Sequence, residues 1–541
     1  MPSSAVEALR GTLEAVGPAL HDTPIWIDAI CINQGDLSEK AQQVAIMGCV
    51  FFEASRAHVW LGLDPCHPTG DAATLIRDIA HHSRTQSIRV EHPVSRMQLA
   101  AIYAPVVEIS KSAHWDDLCC LYDRPWFSRL WVVQEVCLAK AALCCFGSNK
   151  LDWEDVESCA SWLRNDIDRG GAAWQALSKN SRSFEGTTKG LESVRRIRTI
   201  KHAMSQGDGG DLFSVLINTC PMFATTLPHD MVYAFLGLLS QPSITMTSPL
   251  AALQPAYDTP VAQVHAAAAR LAIVETRTLA VLAARDRAGT PYLPLEDLPS
   301  WVPIFNQLTA LRDNARLVLM SCNCNNLSAS RPAAPVSCVE ERWDILAVEG
   351  FHFQEVRSAG TNFEYNIFDC EDAGPTLVSR LAAGLSMAVG GNREVSPRIA
   401  QCNLQQVLSG GNRFPWVDYN NLEPPEWDDI IATILRAGET CQPGQELVTI
   451  STALRESYSM DILACVNRRL FIMANGQLAL GHPNVLTGDM VCILVGGQFP
   501  VILRARGHEW TFVGHAYVPG VSEVLSTSSP ATPSMMLMQN T

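Results

Sequence analysis

Val6, Leu9, Leu13, Val16 and Leu20 recur at spacings of three and four, which predicts an amphipathic helix over residues 3–20. Pro24 to Cys31 (PIWIDAIC) is short, apolar and rich in β-branched and aromatic residues, so it reads as a buried strand centred on Ile25–Ala29. Asn33 to Leu37 is a loop, and Asp36 with Glu39 has the form of a capping box. The helix that follows, over residues 38–54, carries Val44, Met47, Val50 or Phe51, and Ala54 on one face. His58 to Leu63 (HVWLGL) is a second buried strand. Helix, strand, helix and strand in this order predict an α/β arrangement with the two strands parallel.

Further along, residues 71–112 are helical in pattern but polar, which suggests a surface insertion with a solvated His81-His82 pair. Pro125 opens a helix running to Lys140. Ala141 to Phe146 reads as a strand, and residues 219–239 and 261–274 as helices. The last third changes character. Trp343–Gly350, Arg469–Met473, Met490–Val495, Pro500–Arg504 and Trp510–Val518 are short strand-like runs punctuated by Gly, Asn and Asp, the pattern of a small antiparallel sheet or barrel. The pattern divides the chain into an α/β core at 1–150, a helical extension at 151–305 and a β-rich region at 340–520. The Ser/Thr/Pro/Met-rich tail at 521–541 is expected to be disordered.

Composition narrows the class. With 541 residues the chain exceeds what one hydrophobic core normally organises. Apolar residues make up 47% and charged residues 18%, enough to bury a core. A formal charge of −15 disfavours broad contact with phosphate backbones, so no nucleic-acid partner is expected. The 18 cysteines lie scattered in apolar segments, which fits reduced thiols in an intracellular protein. No run of apolar residues is long enough for a membrane span.

Four segments stand out by their wording. Trp26 to Gln34 reads WIDAICINQ and is followed by Gln43, Val44 and Met47 and then by Val59 to Gly62. Arg124 to Val136 reads RPWFSRLWVVQEV, Pro228 to Leu238 reads PHDMVYAFLGL, and Pro299 to Pro303 reads PSWVP. In order and spacing they resemble the fungal heterokaryon incompatibility (HET-domain) family. The C-terminal RRLFIMANGQLALG, GDMVCILVGG and VGHAYVPG are similar to the tail of the same proteins. The resemblance implies a cytoplasmic factor of non-self recognition and programmed cell death, associating with itself or with an allelic incompatibility product. Two departures accompany it. His229 and Met231 stand where the family has Arg and Lys, and the family's opening strand motif is not in this sequence, so a core without its first strand is expected.

The HET domain in turn resembles TIR domains, flavodoxin-like folds that bind partners and in some members cleave NAD. The resemblance therefore implies NAD as a possible substrate. TIR enzymes place Trp-x-x-x-Glu after a Ser-rich turn, and Ser128, Trp131 and Glu135 match that arrangement. A carboxylate beside an indole is partly desolvated, and held against a cationic ribosyl group it would stabilise or capture it. The alternative is structural: Trp131 fills the core and Glu135 pairs with Arg124 or Arg129. Asp28, at the expected carboxyl end of the first strand, and Asn33 and Gln34 in the next loop occupy the edge where doubly wound sheets bind ligands. They would equally serve to cap a turn and satisfy loop backbone. Asp230 is assigned to a helix start. Gly384–Ala388 falls short of a nucleophile elbow, and Cys322/Cys324, Cys119-Cys120 and Cys144-Cys145 lack the second pair that zinc needs, so no metal is expected. The main expectation is a recognition protein. The alternative is an enzyme on the same fold, either a TIR-like NAD glycohydrolase or an accessory of a secondary-metabolite pathway.

Overall fold

The computed structural model describes residues 24–62, 71–87, 114–147, 149–168, 184–209, 212–213, 215–216, 223–246, 253–284, 298–303, 342–362, 468–497, 499–519 and 534–538. The chain forms two compact units, Met1–Pro260 and Val261–Thr541. The helix expected over 3–20 lies outside the described residues.

In the first unit β1 (Ala57–Trp60) runs parallel to β2 (Ala142–Phe146), and β3 (Asn149–Asp152) returns antiparallel to β2. The parallel pair agrees with an α/β reading, but the expected first strand is not there. Residues 24–27 form no strand ladder among the described residues, and α1 (Asp28–Cys31) is a single helical turn. The Asp28 carboxylate accepts from Ala29 N at 2.7 Å and Cys31 N donates to Ile27 O at 2.8 Å, so local bonds take the groups a ladder would need. Ile25 and Ile30 are left exposed, and Trp26 packs edge-on against Phe51 at 5.7 Å.

α2 (Leu37–Glu53) starts where the capping pattern places it. Asp36 accepts from Ser38 N and Glu39 N at 3.0 and 3.1 Å, while Glu39 reaches back to Asn33 N at 2.9 Å. α3 (Asp71–Ser87) corrects the reading of a polar surface insertion. Ala72, Ala73, Leu75, Ile76, Ile79 and Ala80 form a buried stripe against α6 (Trp153–Asp168), and His82 is buried edge-on to Trp162 at 5.9 Å. α4 (Trp115–Tyr122) is anchored by Tyr122, whose hydroxyl donates to Val156 O at 2.9 Å.

The helix expected over 125–140 is broken in two. Pro125–Ser128 is a 3-10 turn, and α5 covers Val132–Leu138. Between them the backbone leaves the helix to pair with Ala224: Leu130 N donates to Ala224 O at 2.9 Å and Ala224 N to Ser128 O at 2.6 Å. α7 (Phe184–Gln206) packs on α6 and α4.

α8 (Asp230–Leu239, DMVYAFLGLL) is buried along its whole length, as a helix apolar on every face beyond its first residue must be. It crosses α2 with glycine on glycine. A Cβ built on Gly48 would lie 2.5 Å from Gly237 Cα, and one on Gly237 would lie 2.8 Å from Gly48 Cα. α5 completes the contact through Gln134, whose Nε2 donates to Ala234 O at 2.7 Å. Its Oε1 would stand 2.5 Å from that same added Cβ on Gly237.

The second unit begins with α9 (Val261–Thr276) and holds the Ser300–Trp301 segment, both assigned by the sequence to the helical extension. Trp301 Nε1 donates to Asp344 O at 3.0 Å, and Ser300 Oγ accepts from Phe512 N at 2.9 Å. The strands are β4 (Leu346–Asn362), β5 (Arg469–Met473), β6 (Leu478–Gly481), β7 (Met490–Leu494), β8 (Val501–Arg506), β9 (Glu509–Tyr517) and β10 (Ser534–Met538). Antiparallel pairing runs β4-β5-β6-β9-β8-β7 and returns to β4, which closes a ring around Val356, Phe471, Val491, Ile493 and Ile502. β10 corrects the expectation of a disordered tail at 521–541. It pairs antiparallel with residues 346–350, and alternation brings Met536 and Met538 inside. Residues 520–533 lie outside the described residues.

The glycine crossing gives a direct test. Gly237→Ala would gain about 1 kcal/mol of helix propensity. Overpacking against backbone, which cannot rotate aside, costs toward the upper end of about 1–3 kcal/mol. The expected result in a denaturant melt of the purified protein is a net loss of about 2 kcal/mol, the difference of those two effects. A stabilised variant would mean that the two helices are not in backbone contact.

Candidate functional site

Two carboxylates of the first unit each receive a tryptophan N–H. Trp126 Nε1 donates to Glu135 Oε2 at 3.3 Å, and Trp131 Nε1 donates to Asp230 Oδ2 at 3.3 Å. The first pair spans the break between the 3-10 turn and α5. The second joins the start of α5 to the start of α8.

Glu135 is partly buried on α5. Burial pushes its carboxyl above the usual carboxylate range. Arg129 and the Trp126 hydrogen bond oppose that shift, and the nearby Asp28 charge adds to it. Arg129 lies 4.0 Å from Asp28 Oδ2, both half exposed, a long surface pair of small energetic weight.

Asp230 is 6% exposed. It opens α8, but it does not cap it. Its Oδ1 accepts from Tyr257 OH at 2.7 Å and its Oδ2 is taken by Trp131. Burial raises its pKa, against the hydrogen bonds from Tyr257 and Trp131 and the charges of Lys40 and His229. Burial and the Asp230 charge together push the Tyr257 hydroxyl far up, so the proton stays on tyrosine. Lys40 Nζ sits 4.6 Å above the Tyr257 ring.

The structure therefore does not gather the residues singled out by sequence into one site. Trp131 and Glu135 serve different carboxylate pairs. Ser128 Oγ donates to Pro125 O at 2.8 Å and closes its own turn. Asn33 Oδ1 accepts from Gly35 N at 3.2 Å, a local turn bond, and the Asn33 and Gln34 side chains are exposed. Asp28 and Glu135 do come near one another, through Arg129. Sequence reasoning missed Trp126, Tyr257 and Lys40. Trp126 stands inside the quoted RPWFSRLW string, whereas nothing in the pattern around Tyr257 marks it.

The geometry defines a mixed α/β unit with a helical polar centre built on paired indoles and carboxylates, followed by a β-rich unit. No helix among the described residues is long and apolar enough to cross a membrane. Residues 2–135 match the family model of the heterokaryon incompatibility protein (HET). Over that stretch the chain is similar to HET-domain proteins. It is also 22% identical to heterokaryon incompatibility protein 6, OR allele, of Neurospora crassa, in an alignment covering 93% of this chain and 81% of that protein. No solved structure gives a significant match.

The two readings of Glu135 differ in the sign of a pH effect. A raised carboxyl holds its proton more tightly folded than unfolded. Its contribution is complete below the unfolded pKa and is lost as pH rises through the folded value. Glu135→Gln removes that loss. Its melting temperature relative to the native protein is therefore expected to rise between about pH 4 and about pH 8, a span that brackets an elevated carboxyl. A relative melting temperature that falls over this range would show instead an ion pair stabilised as the carboxylate.

Proposed function

We propose that this chain acts in heterokaryon incompatibility by recognition: it binds a protein, either a second copy of itself or an allelic incompatibility product, and so contributes to fungal non-self recognition and programmed cell death. The observation that carries this reading is the HET match over residues 2–135. The Neurospora crassa relative, aligned over 93% of the chain, supports it for the remainder.

The surface supports the same reading. Ile25, Ile30, Leu37, Ile46 and Phe52, large apolar side chains exposed among the described residues, all lie inside the HET-matched segment. We read the first unit as TIR-like, on the ground that β1 and β2 are parallel and joined by a helical crossover. We place the protein in the cytoplasm. The cysteines among the described residues are free thiols, which a reducing compartment maintains.

A second reading, NAD cleavage at Glu135, draws on the approach of Asp28 and Arg129 to that partly buried carboxyl. It lacks the assembled group that such chemistry needs, because Ser128 and Trp131 are engaged elsewhere.

Ile46→Glu and Phe52→Glu test the recognition reading on exposed positions of α2. Each is expected to leave stability within about 0.5 kcal/mol, as surface substitutions do. Each is also expected to abolish the incompatibility reaction when the chain is expressed in a fungal tester strain. Undiminished cell death with both variants would overturn the proposed surface.

A further inference from the structure

We infer that the first turn of α8 is a clamp on the segment through which the chain leaves the first unit, and that Trp131 is tied into the same clamp. His229, Asp230 and Tyr233 lie within about one turn at the start of α8, in the PHDMVY stretch. All three reach residues 256–259. His229 Nε2 donates to Thr259 O at 2.8 Å, Tyr233 OH donates to Ala256 O at 2.9 Å and accepts from Ala256 N at 3.1 Å, and Asp230 accepts from Tyr257 OH at 2.7 Å. The rings close over these bonds. Tyr233 and Tyr257 meet edge-to-face at 5.4 Å, and His229 lies 5.6 Å from Tyr257 and 6.0 Å from Tyr233.

Residues 254–260 are half-buried or exposed and form no helix or strand, so burial contributes little there. A strap of that kind ordinarily opens with a low free energy. Here polar side chains from a fully buried helix hold it in place of packing. The position matters because Pro260 ends the first unit and Val261 begins the second. The clamp therefore holds the last residues of the first unit to α8.

Two further groups connect the clamp to the candidate site. Trp131 shares the Asp230 carboxylate with Tyr257, and Lys40 of α2 covers the outer face of the Tyr257 ring. A partner that drew the Trp131 indole away from Asp230 would weaken the Tyr257 anchor by the same act. This assigns the PHDMVY stretch a mechanical role in place of a catalytic one, and gives His229, which departs from the family's Arg, a defined bond. The inference does not depend on which protein is recognised.

Amide hydrogen exchange on the full-length protein tests it. Tyr233→Phe and Tyr257→Phe keep the rings and remove the hydroxyls. Each is expected to speed exchange at residues 256–259 by about tenfold, the factor one lost hydrogen bond supplies. Exchange in α2 and β2 and the melting temperature should change little. Trp131→Phe, which removes the indole donor and leaves the strap untouched, is expected to speed exchange at the same residues by a smaller factor. Limited proteolysis should show the same order of cleavage within 254–260. Equal acceleration across α2, α5 and α8 would mark these residues as ordinary core and overturn the clamp, as would no change at 256–259. Exchange there unaffected by Trp131→Phe would overturn its tie to the candidate site.

Discussion

Backbone contact between Gly48 and Gly237 is the constraint on which the first unit depends. With no side chain on either residue, α2 and α8 approach as closely as two helices can, and Gln134 of α5 closes the third side. A hydrogen of Gly237 Cα then points at Gln134 Oε1, a weak contact of the Cα–H···O kind. The crossing also sets the register of everything nearer the helix starts. Asp230 lies seven residues before Gly237 and Lys40 eight before Gly48. At about 1.5 Å per residue both starts fall about 10–12 Å from the crossing. That is how the Lys40 ammonium comes to lie over the ring that holds Asp230.

Because the helices are locked together, the polar groups at their starts cannot relax toward water. Burial then favours the neutral form of Glu135 and Asp230, and each carboxylate is kept in place by an indole donor. Such a centre is well made for holding elements in register. At Glu135 burial works against the ionised form, while Arg129 and the Trp126 hydrogen bond work for it. Five of the large apolar residues that meet solvent, Ile25, Ile30, Leu37, Ile46 and Phe52, lie on the stretch 25–52.

Local chemistry was legible in the sequence where one residue type has one job. The Asp36 cap, the run of α2, the strands at 57–60 and 142–146 and most of the C-terminal strands follow from capping residues and periodicity. What failed depended on partners far along the chain. The PIWI run looks like a buried strand, but a strand needs a neighbour, and Asp28 starts a helical turn in its absence. α3 has an apolar stripe narrowed by alanines, which hydropathy alone reads as polar. The Ser/Thr/Met-rich tail has the composition of disorder, yet alternating methionines fill the inside of a sheet. In the site, Trp131 and Glu135 were singled out from the motif, but their hydrogen-bond partners were not legible. Tyr257 comes 126 residues after Trp131 with no motif around it, and only the α8 crossing brings them to one carboxylate.

Cell death and NAD content measured together in one fungal culture decide most directly between recognition and catalysis. The chain would be expressed against its incompatible partner strain, native and as Glu135→Gln at matched protein level. Recognition expects death in both cultures, with NAD falling no earlier than membrane integrity is lost. A fall in NAD that precedes death with the native chain and is absent with Glu135→Gln would contradict it.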